Sequence, residues 1–390
     1  MKKTNMRNAD LLPLMSKSKR HFQENSLDGI RGLAVIIVVF GHVSNLDILF
    51  FDGIKFSGNS SEQLGVYLFF VLSAFLLTRA FIRMGYEGLA SPLSWADYFA
   101  RRVLRIYPLY MVTLLFVTVG VSVSVPHIFE KFEGFSMGDI WLHITLRSGM
   151  AHFWTITTEM KYYFILPIFV CVSVFLLRRN ILAILAATLV VSIASSAYAY
   201  LYPSDERYSI VRYLPMFLCG SLFAFINEWY QQNAIKLRTG ILSVVGIVLC
   251  VSVFILMPNV FEKITTMRYV FFSPRLTLIW GMLFGLLIFV VMNEKGILSR
   301  IFSCRVVRFM GIISFSVYLW HIFVLEWVVT LSISNLAMMA VFYSVTILLS
   351  SITFIVIEQP LARIRLYKHD PASFVPLRLA PLRRKSDEGS

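Results

Sequence analysis

The sequence predicts an all-α, polytopic membrane protein: a bundle of about ten transmembrane helices with both termini in the cytoplasm. Three observations carry that expectation. Of the 390 residues, 57% are hydrophobic and 15% charged, whereas a soluble domain is nearer half apolar and about a quarter charged. Mean hydropathy is accordingly high, at +0.72. The apolar residues also gather in runs, at about 29–50, 64–82, 106–125, 153–177, 181–201, 210–228, 239–257, 275–293, 311–331 and 336–357. Each is close to the roughly 20 residues a helix needs to cross the hydrocarbon. Finally, with the N-terminus inside, most of the 36 Lys and Arg fall in cytoplasmic segments. The opposite side holds only Lys55, Lys131, Arg147, Arg207, Arg212, Lys263, Arg268 and Arg275. That asymmetry is the bias that orients membrane helices. Topology and anionic lipid headgroups then account for the net charge of +14, and no nucleic-acid partner is needed.

Residues 1–26 form a basic cytoplasmic segment with Lys2, Lys3, Arg7, Lys17, Lys19 and Arg20. No short apolar core or cleavage site precedes the first span, so no signal peptide is expected. Residues 27–360 form the membrane domain, and 361–390 a basic tail expected to be poorly ordered. The first span reads LDGIRGLAVIIVVFGHV over Leu27–Val43. Arg31 and His42 lie eleven residues apart, which on a helix brings them back to within about 20° of one face and separates them by roughly 16 Å along the axis.

The second span holds FFVLSAFLLTRAF (Phe69–Phe81), whose Ser73 and Ala74 allow close helix approach. A cytoplasmic loop is expected over Arg83–Arg105, with Pro108 in the first turn of span three. Residues 126–152 make the longest outside loop, with a short interfacial helix over 138–149 carrying Trp141. The fourth span opens with HFWTITTEMKYYFILPIF (His152–Phe169) and places Glu159 and Lys161 at membrane depth. Spans five to seven read as packing helices. Span nine carries SFSVYLWHIF (Ser314–Phe323), and span ten ends in IEQP (Ile357–Pro360). Cys171, Cys219, Cys250 and Cys304 have no zinc spacing and no pair on the oxidising side, so no disulfide is expected.

Intramembrane ionisable groups are functional candidates by default. Buried packing against a neighbouring helix is the competing reading for each. For His42, the shared face with Arg31 favours chemistry. A neutral imidazole can take a proton from a hydroxyl nucleophile or itself attack an acyl group. Arg101, Arg102 and Arg105 could be topology anchors. Arg102 and Arg105, however, are i, i+3 and share a helix face, and two guanidiniums there make a fork suited to phosphates. Glu159 and Lys161, two apart, cannot face one another, so each needs another partner or a cavity. Glu159 lies at a depth comparable to His42 and could orient its tautomer. His321 is near the midplane of span nine, either lining a cavity or packed. Glu358, at a cytoplasmic helix end, is expected to reach water. Trp154 and Tyr163, with Tyr162, Trp280, Trp320 and Trp327, read as belt or packing residues rather than a sugar platform.

Taken together, the motifs resemble those of the acyltransferase-3 family of integral-membrane acyltransferases, over about residues 27–360. LDGIRGLAVIIVVFGH resembles the family's opening block, with its Arg-x10-His pair at Arg31 and His42. FFVLSAFL carries Ala74 where the family has glycine, and RRVLRIYPLY matches the Arg-x-x-Arg block at Arg102 and Arg105. FWTITTEMKYYFILP keeps the family's first acid as Glu159 and has Met160 in place of the second. SFSVYLWH and IEQP resemble the closing blocks at His321 and Glu358, with Gln359 for the usual arginine.

The resemblance implies an O-acyltransferase of the bacterial inner membrane. It would move an acyl group, by default acetyl, from cytoplasmic acetyl-CoA to a hydroxyl of an extracytoplasmic or lipid-linked saccharide such as O-antigen or exopolysaccharide. Coenzyme A would be a substrate, with no permanently bound cofactor. The implied partners are the bilayer, the acyl-CoA and a saccharide or glycolipid acceptor. The arginines would hold the nucleotide phosphates, and the pantetheine arm would bring the thioester to His42. Some relatives carry a fused extracytoplasmic esterase-like domain. This chain ends after its last span, so transfer is expected to finish in the membrane domain. A secondary transporter with midplane charges is the runner-up, and such proteins often show inverted repeats with broken helices in both halves; no such pairing is visible. A structural membrane protein would not require Arg31 and His42 in register.

Overall fold

The structure, a computed structural model, describes residues 8–44, 62–123, 128–202, 209–233, 237–265, 276–364 and 366. Among these residues all regular structure is helical. In chain order the helices are α1 (Asn8–Ser44), α2 (Glu62–Ala90), α3 (Pro92–Ser122), α4 (Met137–Ile144), α5 (Trp154–Cys171), α6 (Ile181–Leu201), α7 (Ile210–Gln232) and α8 (Thr239–Ile255). They continue with α9 (Pro258–Thr265), α10 (Thr277–Asn293), α11 (Ile297–Phe302), α12 (Arg305–Ile312), α13 (Ser314–Val329), α14 (Asn335–Thr353) and α15 (Gln359–Ala362). Short 3₁₀ turns over Glu130–Phe132 and Ala151–Phe153 precede α4 and α5. Single π-turns extend α5 over Val172–Leu176 and α14 over Phe354–Glu358.

Seven of these stretches are long and apolar enough to cross a membrane, or eight when the bent pair α12–α13 is taken as one span. The apolar helices α8 and α10 are shorter. The centre of the bundle is α2, 78% of whose apolar window is buried, against 22% for the span formed by α14 and its extension. The outer helices α6 and α14 instead present apolar side chains outward, such as Leu182, Val190, Ile193, Leu348 and Ile352. A helix surface of that kind suits lipid, not water. Ala74 of α2 is fully buried. A Cβ at Gly220 of α7 would sit 3.0 Å from it and 2.2 Å from the Val71 carbonyl. Small residues therefore set the spacing of this pair, as they do between membrane helices generally.

The opening motif is built for the same kind of contact. A Cβ at Gly32 would fall 2.0 Å from the Val307 carbonyl oxygen, and one at Gly311 would fall 1.8 Å from that of Asp28. Helices α1 and α12 thus cross backbone to backbone. Next to that crossing the chain bends: α12 and α13 meet at 78°, across Ile313 with φ −90° and ψ 8°. The ninth span read from the sequence, 311–331, corresponds to α13, and α12 is a separate helix before it that the sequence reading did not identify.

Two further expectations are corrected. Residues 83–105 are not a loop, because α2 runs to Ala90 and α3 begins at Pro92. Polar residues hid the helix, yet Ser91 followed by proline at the first helical position is a helix-start signal. Pro108 consequently lies inside α3, not in its first turn. Gly85, at φ 70°, takes the left-handed turn that ends the straight part of α2. The interfacial helix expected over 138–149 is α4, shorter by about a turn, with Trp141 exposed. The expected outside cations Lys55, Arg207, Arg268 and Arg275, and the tail beyond residue 366, lie outside the described residues.

Candidate active site

A cavity of about 110 Å³ opens between α1, α2, α3, α5 and α13. Arg31 from α1 and Arg102 and Arg105 from α3 all line it. The i, i+3 spacing on α3 puts the two guanidiniums on the cavity side of one helix, as the sequence suggested. Arg31 bonds Asp28 one turn earlier (Nη1–Oδ1 3.3 Å), and Arg102 lies 5.9 Å from the Tyr163 ring centroid. Its Nε is buried without a partner. Arg101, grouped with these by sequence, sits elsewhere: its Nε pairs with the buried Asp97 carboxylate at 3.0 Å, outside the lining.

Glu159 lines the same cavity. Its Oε1 accepts from Ser73 Oγ (2.5 Å) and Tyr163 Oη (2.6 Å). The carboxylate is thus fixed by two hydroxyls in the cavity that the three arginines also line. Ser73, read only as a small spacer, is one of its anchors. Lys161 lies off the lining, as the two-residue offset from Glu159 requires. Trp154 stacks on Tyr213 at 5.0 Å and meets Phe70 edge-on at 5.9 Å. It packs beside the cavity, whereas Tyr163 is part of its wall.

His42 is partly exposed and lies beyond this cavity. Among the described residues no hydrogen bond joins it to Glu159. Its neighbour is His321, with ring centroids 5.1 Å apart. His321 is fully buried, and its Nδ1 faces the Tyr318 and Val317 carbonyls at 2.8 and 3.1 Å. His152 completes the group, 6.1 Å from His321 by ring centroids. Its Nε2 bonds the Leu319 carbonyl at 3.2 Å. Tyr318, which also lines the cavity, donates to the His152 carbonyl (2.7 Å) and accepts from Thr155 Oγ1 (2.8 Å). These bonds tie α13 to the start of α5. Among the described residues, no three His, Cys, Asp or Glu side chains are arranged to hold a metal. Sequence reading passed over His152, although it directly precedes the Phe-Trp of the fourth block.

Glu358 corrects another expectation. It does not reach water but is buried at the end of the π-turn, taking the Ser316 hydroxyl proton as a hydrogen bond. Arg105 lies within electrostatic range of it. A π-turn widens the helix locally and recurs at functional positions. At the far end of α13, Lys131 pairs with Glu326 at 2.5 Å.

Fold and site together define a multi-pass membrane protein with an internal cavity: cations and one carboxylate at one end, imidazoles beyond. The chain belongs to the acyltransferase-3 family, whose acyltransferase domain matches residues 24–356. It is similar to the peptidoglycan O-acetyltransferase OatA of Listeria monocytogenes, 24% identical over 76% of this chain and 48% of that protein. It is also similar to the O-acetyltransferase OatA of Staphylococcus aureus, 22% identical over 76% of this chain and 49% of that one. The chain thus spans about half the length of these relatives. No solved structure matches it significantly.

Proposed function

We propose that this protein is a membrane O-acetyltransferase that carries an acyl group from coenzyme A, on the cytoplasmic side, to a hydroxyl of a saccharide on the other side. The observation that supports it best is the shared cavity of Arg31, Arg102 and Arg105, on the helix face that leads to His42. Guanidiniums recognise phosphate oxygens through charge-assisted, bidentate hydrogen bonds. The donor's phosphates would sit there, and its pantetheine arm would follow α1 toward His42, roughly 16 Å further along the axis. At His42 the acceptor hydroxyl loses its proton to the imidazole, and its oxygen bonds to the thioester carbon. The C–S bond then breaks, and the proton passes to the departing thiolate. The acyl ester and free coenzyme A are the products.

In this reading the membrane is the bacterial inner membrane, spanned about ten times with both termini cytoplasmic. A saccharide acceptor is favoured by the relatives, the Listeria monocytogenes protein being named for peptidoglycan. O-antigen or exopolysaccharide would present the same hydroxyl chemistry. The test is transfer of labelled acetyl from acetyl-CoA in proteoliposomes to glycan acceptors, with wild type, His42→Ala, Arg102→Ala and Arg105→Ala. General-base loss lowers kcat by about 10²–10⁴-fold in His42→Ala. The arginine variants raise KM for acetyl-CoA by about tenfold or more, the scale of one lost charged hydrogen bond. Undiminished transfer by well-folded His42→Ala sinks the reading.

A further inference from the structure

We infer that His321 positions His42 for catalysis, in the place that sequence assigned to Glu159. The proposal rests on the acyl-transfer reading above and adds a residue to it.

Glu159 is committed elsewhere. Its Oε1 holds two hydroxyl donors, and it faces the arginine cavity. His321 is placed differently. Its Nδ1 lies 2.8 Å from the Tyr318 carbonyl and 3.1 Å from that of Val317. A carbonyl only accepts, so Nδ1 carries the proton, and Nε2 of the neutral ring is left as a lone pair. That Nε2 is buried and has no partner, an arrangement that costs free energy unless it is used. The His42 ring is 5.1 Å away between centroids, tilted by 48°. Rotation of the partly exposed His42 ring brings one of its N–H groups within hydrogen-bond range of Nε2.

The consequence is tautomeric. With one nitrogen donating to His321, His42 presents the lone pair of its other nitrogen to the acceptor hydroxyl. When His42 takes that proton, the N–H facing His321 belongs to an imidazolium, and the hydrogen bond becomes charge-assisted. The interaction is then stronger in the transition state than in the ground state, which is the condition for raising kcat. The mount is rigid. Besides the two carbonyls on Nδ1, the α13 backbone is tied by His152 through Leu319, and by Tyr318 to the His152 carbonyl. Lys131, within electrostatic range of all three histidines, is paired with Glu326.

The experiment compares wild type, His42→Ala, His321→Phe and His321→Gln in proteoliposomes, with coenzyme A binding by calorimetry and thermal unfolding in detergent. A lost positioning contact costs about 10²-fold. His321→Phe is expected to lower kcat on that scale, with KM for acetyl-CoA and coenzyme A affinity unchanged. His321→Gln, which keeps an acceptor oxygen near the Nε2 position, is expected to recover to within about tenfold of wild type. Wild-type kcat in His321→Phe, with His42→Ala inactive, overturns the positioning role and leaves the acyl-transfer reading standing. Loss of coenzyme A binding and thermal stability together in both His321 variants also overturns it, since that pattern marks a packing residue. Wild-type activity in His42→Ala overturns the acyl-transfer reading itself, and this proposal falls with it.

Discussion

His143 sits buried beneath the segment that leads into α5, hydrogen-bonded through Nδ1 to the Tyr110 hydroxyl of α3 at 2.6 Å. Its Nε2 lies 3.4 Å from Ser148 Oγ. Burial pushes this imidazole down to about 4, against a smaller upward pull from Asp139. The Asp139 carboxyl is itself held below its usual range by the Ser136 hydroxyl and N–H that it caps. The stability consequence has a definite sign. Between about 4 and the ordinary value of about 6.5, the unfolded chain binds a proton that the folded one does not. Stability is therefore level above pH 6.5 and falls as pH drops toward 4, by up to about 3 kcal/mol. A thermal midpoint that declines across that window in wild type, and less steeply in His143→Gln, is the expected result. Equal slopes would place the acid sensitivity elsewhere. From sequence, His143 is one residue of the outside loop over 126–152 and carries no signal of its own. Its role depends on Tyr110, and which neighbours meet across helices is not encoded in spacing along one of them. Arg102 and Arg105 were legible for the opposite reason: their relation is within a single helix, where i, i+3 geometry decides it. The partnership of Ser73 with Glu159, 86 residues apart, had no such local signal.

At the scale of elements, the decisive contact is α1 on α12. The glycines of the opening block were visible in the sequence, but their purpose was not. An apolar helix with no polar face does not announce which side meets which neighbour, and α13 is such a helix. The backbone-to-backbone crossing at Gly32 and Gly311 fixes the middle of α1, and with it the position of Arg31 at the cavity. Beyond that crossing the chain turns by 78° at Ile313 into α13, which carries His321 beside His42. Gly32→Ala would drive a methyl to 2.0 Å from a carbonyl oxygen, with backbone rather than a flexible side chain in the way. Overpacking of this kind typically costs about 1–3 kcal/mol, and more against backbone. A lower thermal midpoint in detergent, with weaker coenzyme A binding, is expected. Gly240→Ala makes the matched control, because nothing lies within 4 Å of its Cβ position. Should both variants melt with wild type, the close crossing would not be what holds α1.

For the whole molecule, the charge asymmetry read from the sequence acquires a spatial form. The end of the bundle that carries Arg31 also carries Arg300, Arg305 and Arg308, since α11 and α12 pack on α1 around Gly29 and Gly32. Arg179 joins them, lying 4.9 Å from the Tyr86 ring centroid near the end of α2. Of the cations read on the opposite side, the described ones include Arg147, Arg212 and Lys131, the last paired with Glu326. Translocating the first end would carry several guanidiniums across lipid, each costly at the bilayer centre. Retention of that end in the cytoplasm is the outcome the positive-inside bias favours. It is also the orientation that the proposed binding of cytoplasmic acyl-CoA at the arginine cavity requires, so topology and the proposed donor site place one demand on the same residues. In a cysteine-free background, a single cysteine at Ser303 should react with an impermeant maleimide only after the cells are opened. One placed at Glu133, in the segment before α4, should react in intact spheroplasts. The reverse pattern would put the cavity mouth on the side without coenzyme A, and no assignment of the arginines to donor phosphates could survive it.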